Sequence, residues 1–218
     1  MSQATAPQQD TLVHSYLFLR RAIGVIGVAL PLVLILGKLV VDGGGLLDSL
    51  SGYYYTDVRD VFVGAMCATG VFLLSYRGYG RTDAVAGDVA AVAAIGLALC
   101  PTKPGGARTP ADNVLGTLHL VFAAVFFLTL AYFCLVQFTK SDAANPTPRK
   151  TQRNIVYRVT GCVILASLVL IVLSNWLLSA ETSTLHPALW LETAAILAFG
   201  VAWLTKGEAI LGDLKPLP

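Results

Sequence analysis

Six long apolar runs separated by short polar connectors organise this chain. They fall at about Ala22–Val41, Val58–Tyr76, Asp83–Cys100, Asn113–Phe138, Ile155–Leu178 and Ala188–Thr205. Within each run the apolar residues surround the helix instead of marking one stripe. A helix apolar on every side must face lipid or lie fully buried, and about 20 such residues cross a bilayer core. The pattern predicts an all-α polytopic membrane protein built as a six-transmembrane-helix bundle. Residues 1–14 are expected as a disordered cytoplasmic tail, 15–210 as the membrane domain and 211–218 as a second tail. The first run follows Arg20 and Arg21 as in a signal peptide, but it is too long for one and lacks a small-residue cleavage site, so it is taken as a retained helix.

Composition agrees. Charged residues make up 13% and hydrophobic residues 56% of the chain, against about 25% charged in soluble domains. Charge location sets the expected orientation. With both termini inside, the inner segments hold Arg20, Arg21, Arg77, Arg81, Lys140, Arg149, Lys150, Arg153, Arg158, Lys206 and Lys215. The outer segments hold only Lys38, Arg59, Lys103 and Arg108. The positive-inside rule then favours cytoplasmic termini. No basic stripe or nucleic-acid module is present. Cys67, Cys100, Cys134 and Cys162 form no CxxC pair and predict no disulfide framework.

The first outer connector, DGGGLLDSLSGYYYTD at 42–57, stands apart. Leu46, Leu47, Leu50, Tyr53 and Tyr54 are spaced for a turn or two of helix lying in the interface. Two uses suit it: an aromatic belt, or a cover over a site. In the third run Ala86, Ala90, Ala94 and Ala98 form a ladder of small residues, which lets helices approach closely. Asp88 is expected to pair with Arg77 and Arg81, and Gln137 and Asn175 to bond between helices.

Ionisable groups concentrate toward the outer ends of the runs. Lys38, Arg59, Asp60, His119, His186 and Glu192 fall within a slab about two helical turns thick, under a connector carrying Ser51. Charges in hydrocarbon are expensive and are usually paired or functional. Asp60, His119 and Glu192, joined by His186, Arg59, Ser51 and Lys38, are therefore the expected lining of an outward-facing polar pocket. Its ligand would be a lipid headgroup or a small polar solute. Asp60, His119, His186 and Glu192 also carry the donor types for a divalent metal such as zinc. Two alternatives stay open: a metal-dependent hydrolase of a lipid ester or amide, and a proton-coupled transporter or channel. The catalytic residues are not assigned, and membrane lipids are the expected partners.

The segments SGYYYTDVRDVFVG, FLLSYRGY, GTLHLVFAAVFFLTLAYF and WLETAAILAFGVAWLTKGE resemble bacterial six-helix membrane proteins of the domain of unknown function numbered 998. The resemblance implies the six-helix fold and a bacterial inner (plasma) membrane setting. A looser similarity joins Ser51, Asp60, His119 and His186 to the superfamily of alkaline ceramidases and adiponectin-type receptors, which are transmembrane metal hydrolases. The six runs and the missing HxxxH depart from that pattern.

Overall fold

The computed structural model describes residues 6–76, 78, 80–141, 147–177 and 185–212, with backbone alone for 6–13 and 177. Six α-helices and no strand occur among them: α1 (Ala6–Val41), α2 (Arg59–Ser75), α3 (Arg81–Leu99), α4 (Pro110–Tyr132), α5 (Pro148–Leu177) and α6 (Pro187–Lys206). The protein is a polytopic membrane protein. Five of these helices are long and apolar enough to cross a bilayer. The remaining one, α2, has 17 residues, about 25 Å at the helical rise, which reaches the short limit for a span.

Two boundaries differ from expectation. α1 starts at Ala6, so residues 6–14 run as helix and not as a disordered tail. α5 starts at Pro148, so Arg149, Lys150 and Arg153 lie on helical turns and not in a loop. Proline explains the second start, because its missing N–H costs nothing in a first turn. α4 ends in a π-helical turn, Phe133–Gln137. Residues 1–5 and 213–218, parts of the two expected tails, lie outside the described residues.

Each helix packs on the next in sequence, and α6 packs on α1, closing a ring. One end of the ring carries the 42–57 connector, the 100–109 connector and the start of α6, and is called here the loop end. There Leu189 N–H donates to the Asp48 carbonyl at 2.9 Å, and Tyr55 Oη–H donates to the Thr102 carbonyl at 2.6 Å. The other end, the termini end, gathers basic side chains. Arg21 Nε–H donates to the Gly207 carbonyl at 2.7 Å, Lys150 Nζ to the Phe138 carbonyl at 2.7 Å, and Arg153 lies 3.9 Å from Glu208.

Small residues draw the helices together. Ala90, Ala91 and Ala94 of α3 are fully buried, as the ladder predicts. The closest approach is between α1 and α6. A Cβ on Gly24 would come within 2.7 Å of the Leu204 backbone nitrogen, and one on Gly200 within 2.8 Å of that of Val28.

Aromatic rings fill the half of the bundle nearer the termini. The Trp203 ring is fully buried and meets Tyr76 at 5.0 Å, Phe138 at 5.2 Å, Phe133 at 5.9 Å and Phe199 at 6.1 Å between centroids. Edge-to-face pairs of this kind contribute about 0.5–1.5 kcal/mol each beyond area burial. Beside this layer Asp83 and Lys206 are buried. A Cβ on Gly78 would come within 2.5 Å of the Asp83 carboxyl carbon, so the turn before α3 fits closely over that acid.

Candidate functional site

A cavity of about 290 Å³ lies in the half of the ring nearer the loop end. At ~30 Å³ per water-sized group it has room for roughly ten heavy atoms. All six helices contribute to its wall: Leu30 from α1, Met66 from α2, Leu97 from α3, Phe127 from α4, Ile171 from α5 and Ile196 from α6 are examples. Its floor is Phe126 and Phe199, whose rings lie 6.1 Å apart. Phe199 in turn rests on Trp203, so the aromatic layer closes the cavity from below. Most polar groups gather at the other end: Asp48, Ser49 and Ser51 from the covering connector, Thr102, His119, Asn175 and Glu192, with Thr69 of α2 further from it. Mostly apolar walls with a few convergent polar groups are the usual make-up of a ligand site.

The connector at 42–57 forms the roof. Its regular part is one 3-10 turn, Ser51–Tyr55. Leu50 and Tyr53 are 1% and 0% exposed, so this segment packs onto the bundle and does not lie flat in the interface as expected. Glu192 holds it in place. One carboxylate oxygen, Oε2, accepts the backbone N–H of Leu50 at 2.7 Å and of Ser51 at 3.4 Å. These donors open the 3-10 turn, where no earlier carbonyl serves them and the helix dipole favours an anion. His186 adds a second tie at the rim, its Nδ1 2.9 Å from Asp48 Oδ1. It stands at φ 46° just before Pro187, a left-handed conformation that is uncommon outside glycine.

His119 caps a helix from outside it. Its Nδ1 lies 2.7 Å from the Cys100 carbonyl. A carbonyl only accepts, so Nδ1 carries the proton. The final carbonyls of a helix lack intrahelical donors, and His119 of α4 satisfies one for α3. The ring is 2% exposed and forms part of the cavity wall.

His119, Glu192 and Ser51 of the expected set line this cavity; Asp60, Arg59, Lys38 and His186 do not. Asp60 and Arg59 are exposed at the start of α2. The Arg59 guanidinium donates to Tyr54 Oη at 2.5 Å and stacks 4.3 Å from that ring. Lys38 is buried, and its Nζ donates to the Gly43 carbonyl at 2.8 Å. Asp48, Thr102 and Asn175 were not expected in the lining; Asp48 is one of three acids in the 42–57 connector, and nothing in the sequence sets it apart from Asp42 and Asp57. Gln137 bonds Tyr132 within its own helix segment and Lys140 just beyond it, and not another helix. Arg77, an expected partner of Asp88, lies outside the described residues.

The expected zinc site is overturned. Among the described residues no three His, Cys, Asp or Glu side chains gather where they could share a metal ion. The reasons are geometric. Asp60 points outward and His186 is engaged at the rim, so only His119 and Glu192 of the four expected donors line the cavity. No protein-family model, curated protein or solved structure matches the chain.

Proposed function

We propose that the protein binds a small amphiphile inside the helix ring, its polar end under the 42–57 connector and its apolar part on the Phe126–Phe199 floor. The carrying observation is the division of the cavity wall: the charged groups and most polar ones collect at the loop end, and apart from Thr69 the rest of the wall is apolar. A purely polar solute would leave the phenylalanine floor wet, and a pure hydrocarbon would offer nothing to Glu192 Oε1 or to the other polar groups at the loop end, a costly exchange. The lipid-facing surface of the helices supports membrane lipids as the surrounding partners. The excess of Lys and Arg at the termini end supports cytoplasmic termini, and the resemblance to bacterial six-helix proteins supports an inner-membrane setting. A transport route has less support, because packed rings lie between the cavity and the termini end.

Calorimetric titration of the protein in lipid nanodiscs with octanol, octylammonium and octanoate tests the reading, with empty discs as the blank. Saturable binding of at least one probe is expected, and it is expected to be lost in Ala123→Phe, which fills the cavity. If Ala123→Phe fails to fold, Ile196→Phe serves the same purpose. The reading fails if no probe binds saturably, or if binding survives in the filled variant.

A further inference from the structure

We infer that the ligand's polar end is cationic: the site takes an alkylammonium-type amphiphile that enters from the bilayer, with Glu192 as its counter-charge. This rests on the amphiphile reading above and narrows it.

The sign of the wall carries the argument. Two charged side chains line the cavity, Glu192 and Asp48, and both are acidic. No Lys or Arg contributes to the wall among the described residues. Of the basic residues at the loop end, Lys38 is engaged on the Gly43 carbonyl and Arg59 on the Tyr54 hydroxyl and ring, and Lys103 is exposed, its stem against Gly116. His119 directs its Nδ1–H at a carbonyl, not at a carboxylate. The two carboxylates differ in their use. The Asp48 side chain is 84% exposed and held by His186 at the rim. Glu192 lies inside, and its two backbone donors both reach Oε2. Oε1 accepts no hydrogen bond among the described residues, so half of an interior carboxylate is open to a donor. An ammonium group supplies N–H donors and the opposite charge at once, and hydrogen bonds between charged partners are the strong ones. Four phenylalanines in the wall, Phe62, Phe126, Phe127 and Phe199, add ring faces and edges suited to the alkyl part, and their faces also tolerate a cation.

The route follows from two residues of the wall. Leu120 of α4 is 61% exposed and Asn175 of α5 is also exposed, yet both line the cavity. These two side chains meet both the cavity and the outside, so the wall opens between α4 and α5 toward the surrounding lipid; exposed Asp48 does the same at the rim, where His186 holds it. The roof, by contrast, is tied down by Glu192, Asp48 and His186.

The test compares affinities in the same nanodiscs at pH 8. Wild type is expected to bind octylammonium at least tenfold more tightly than octanol, and octanoate more weakly than either. Glu192→Gln keeps an oxygen for the Leu50 and Ser51 N–H groups but loses the charge. It is expected to lose the tenfold preference for octylammonium over octanol. Ethylammonium, which shares the head but not the chain, is expected to bind at least tenfold more weakly than octylammonium. The inference is overturned if octanol or octanoate binds wild type as tightly as octylammonium, or if Glu192→Gln keeps the preference. It is equally overturned if ethylammonium matches octylammonium, which would assign the site to water-borne amines. Each of these results leaves ligand binding in the cavity standing. Absence of binding by every octyl probe removes both readings. Should Glu192→Gln not fold, the wild-type ranking decides alone.

Discussion

The Glu192 carboxylate and the Leu50 backbone N–H meet at 2.7 Å across 142 positions of sequence. One end of that hydrogen bond is in the cavity wall, and the other begins the turn that roofs the cavity. Any ligand that draws on the Glu192 charge therefore also bears on the group that holds the roof. Binding and roof closure share a residue, so they are linked without a separate relay.

Removing that group exposes the link. Glu192→Ala leaves the N–H groups of Leu50 and Ser51 without an acceptor, which costs about 1–3 kcal/mol for a buried donor. Since 1.4 kcal/mol is tenfold, amide exchange at Leu50 and Ser51 is expected to speed by roughly tenfold to a hundredfold. Exchange in the α3 core, at Ala90 and Ala94, is expected to stay as it was. Glu192→Gln, which retains an acceptor, is expected to stay near wild type. Equal exchange at Leu50 in all three proteins would show that the roof does not depend on this bond.

The α1–α6 crossing is set by Gly24 and Gly200, where an added methyl would meet backbone atoms as well as the Leu204 and Val28 side chains. Backbone cannot swing aside, so the helices must separate. Gly200→Ala is expected to destabilise by about 1–3 kcal/mol, the usual cost of overpacking. Gly64→Ala is the control, because a Cβ there meets nothing within 4 Å. Thermal unfolding in detergent is expected to show a lower midpoint for Gly200→Ala and none for Gly64→Ala.

The helices were legible because crossing a bilayer requires long apolar runs, and nothing else in the chain competes with that signal. Depth was legible too: His119 and Glu192 were expected near one end of their helices and lie there. Rotation about the helix axis was not. Helices apolar all round have almost no preferred face, so the sequence could not tell that Glu192 turns inward while Asp60, at a similar depth, turns out. The partners were hidden for a second reason. Glu192 binds backbone N–H groups and His119 a backbone carbonyl, and backbone groups are the same at every residue. Unreadable rotation also undid the metal expectation, since only His119 and Glu192 of its four donors face the cavity. The close fit of Gly78 over buried Asp83 left no mark beyond one more glycine in a turn.

His119 has a structural task separable from ligand binding. In His119→Ala the Cys100 carbonyl, near the end of α3, loses its donor. The expected destabilisation is about 1–3 kcal/mol, the range for orphaning a buried acceptor. The unfolding midpoint measured without ligand is expected to fall. Filling the cavity by Ala123→Phe leaves this bond intact and is expected to lower the midpoint less than His119→Ala does. A midpoint unchanged in His119→Ala would show that water serves the carbonyl equally well.

Tyr53 makes the roof sensitive to alkaline pH. Its ring is fully buried, and its hydroxyl makes no close hydrogen bond among the described residues. Burial disfavours the phenolate and raises the Tyr53 pKa above the ordinary tyrosine value, with the Leu47 backbone opposing weakly. A group with a raised folded pKa contributes stability that is fully present below its unfolded pKa and lost as pH rises through the folded one. Tyr53 is therefore compatible with the closed roof while neutral and opposes it in strong alkali, where it must ionise. Tyr53→Phe removes the titrating group and a buried hydroxyl at once. Its unfolding midpoint at pH 7 is expected to match or exceed that of wild type, since an unmet hydroxyl contributes nothing. The two midpoints are expected to diverge further above the ordinary tyrosine range, where only wild type must ionise Tyr53. Absorbance titration at high pH provides the direct check: one tyrosine ionising later than the rest in wild type, and absent from Tyr53→Phe. If the variant instead unfolds at a lower temperature at pH 7, the hydroxyl has a partner that matters and this account of the roof is wrong.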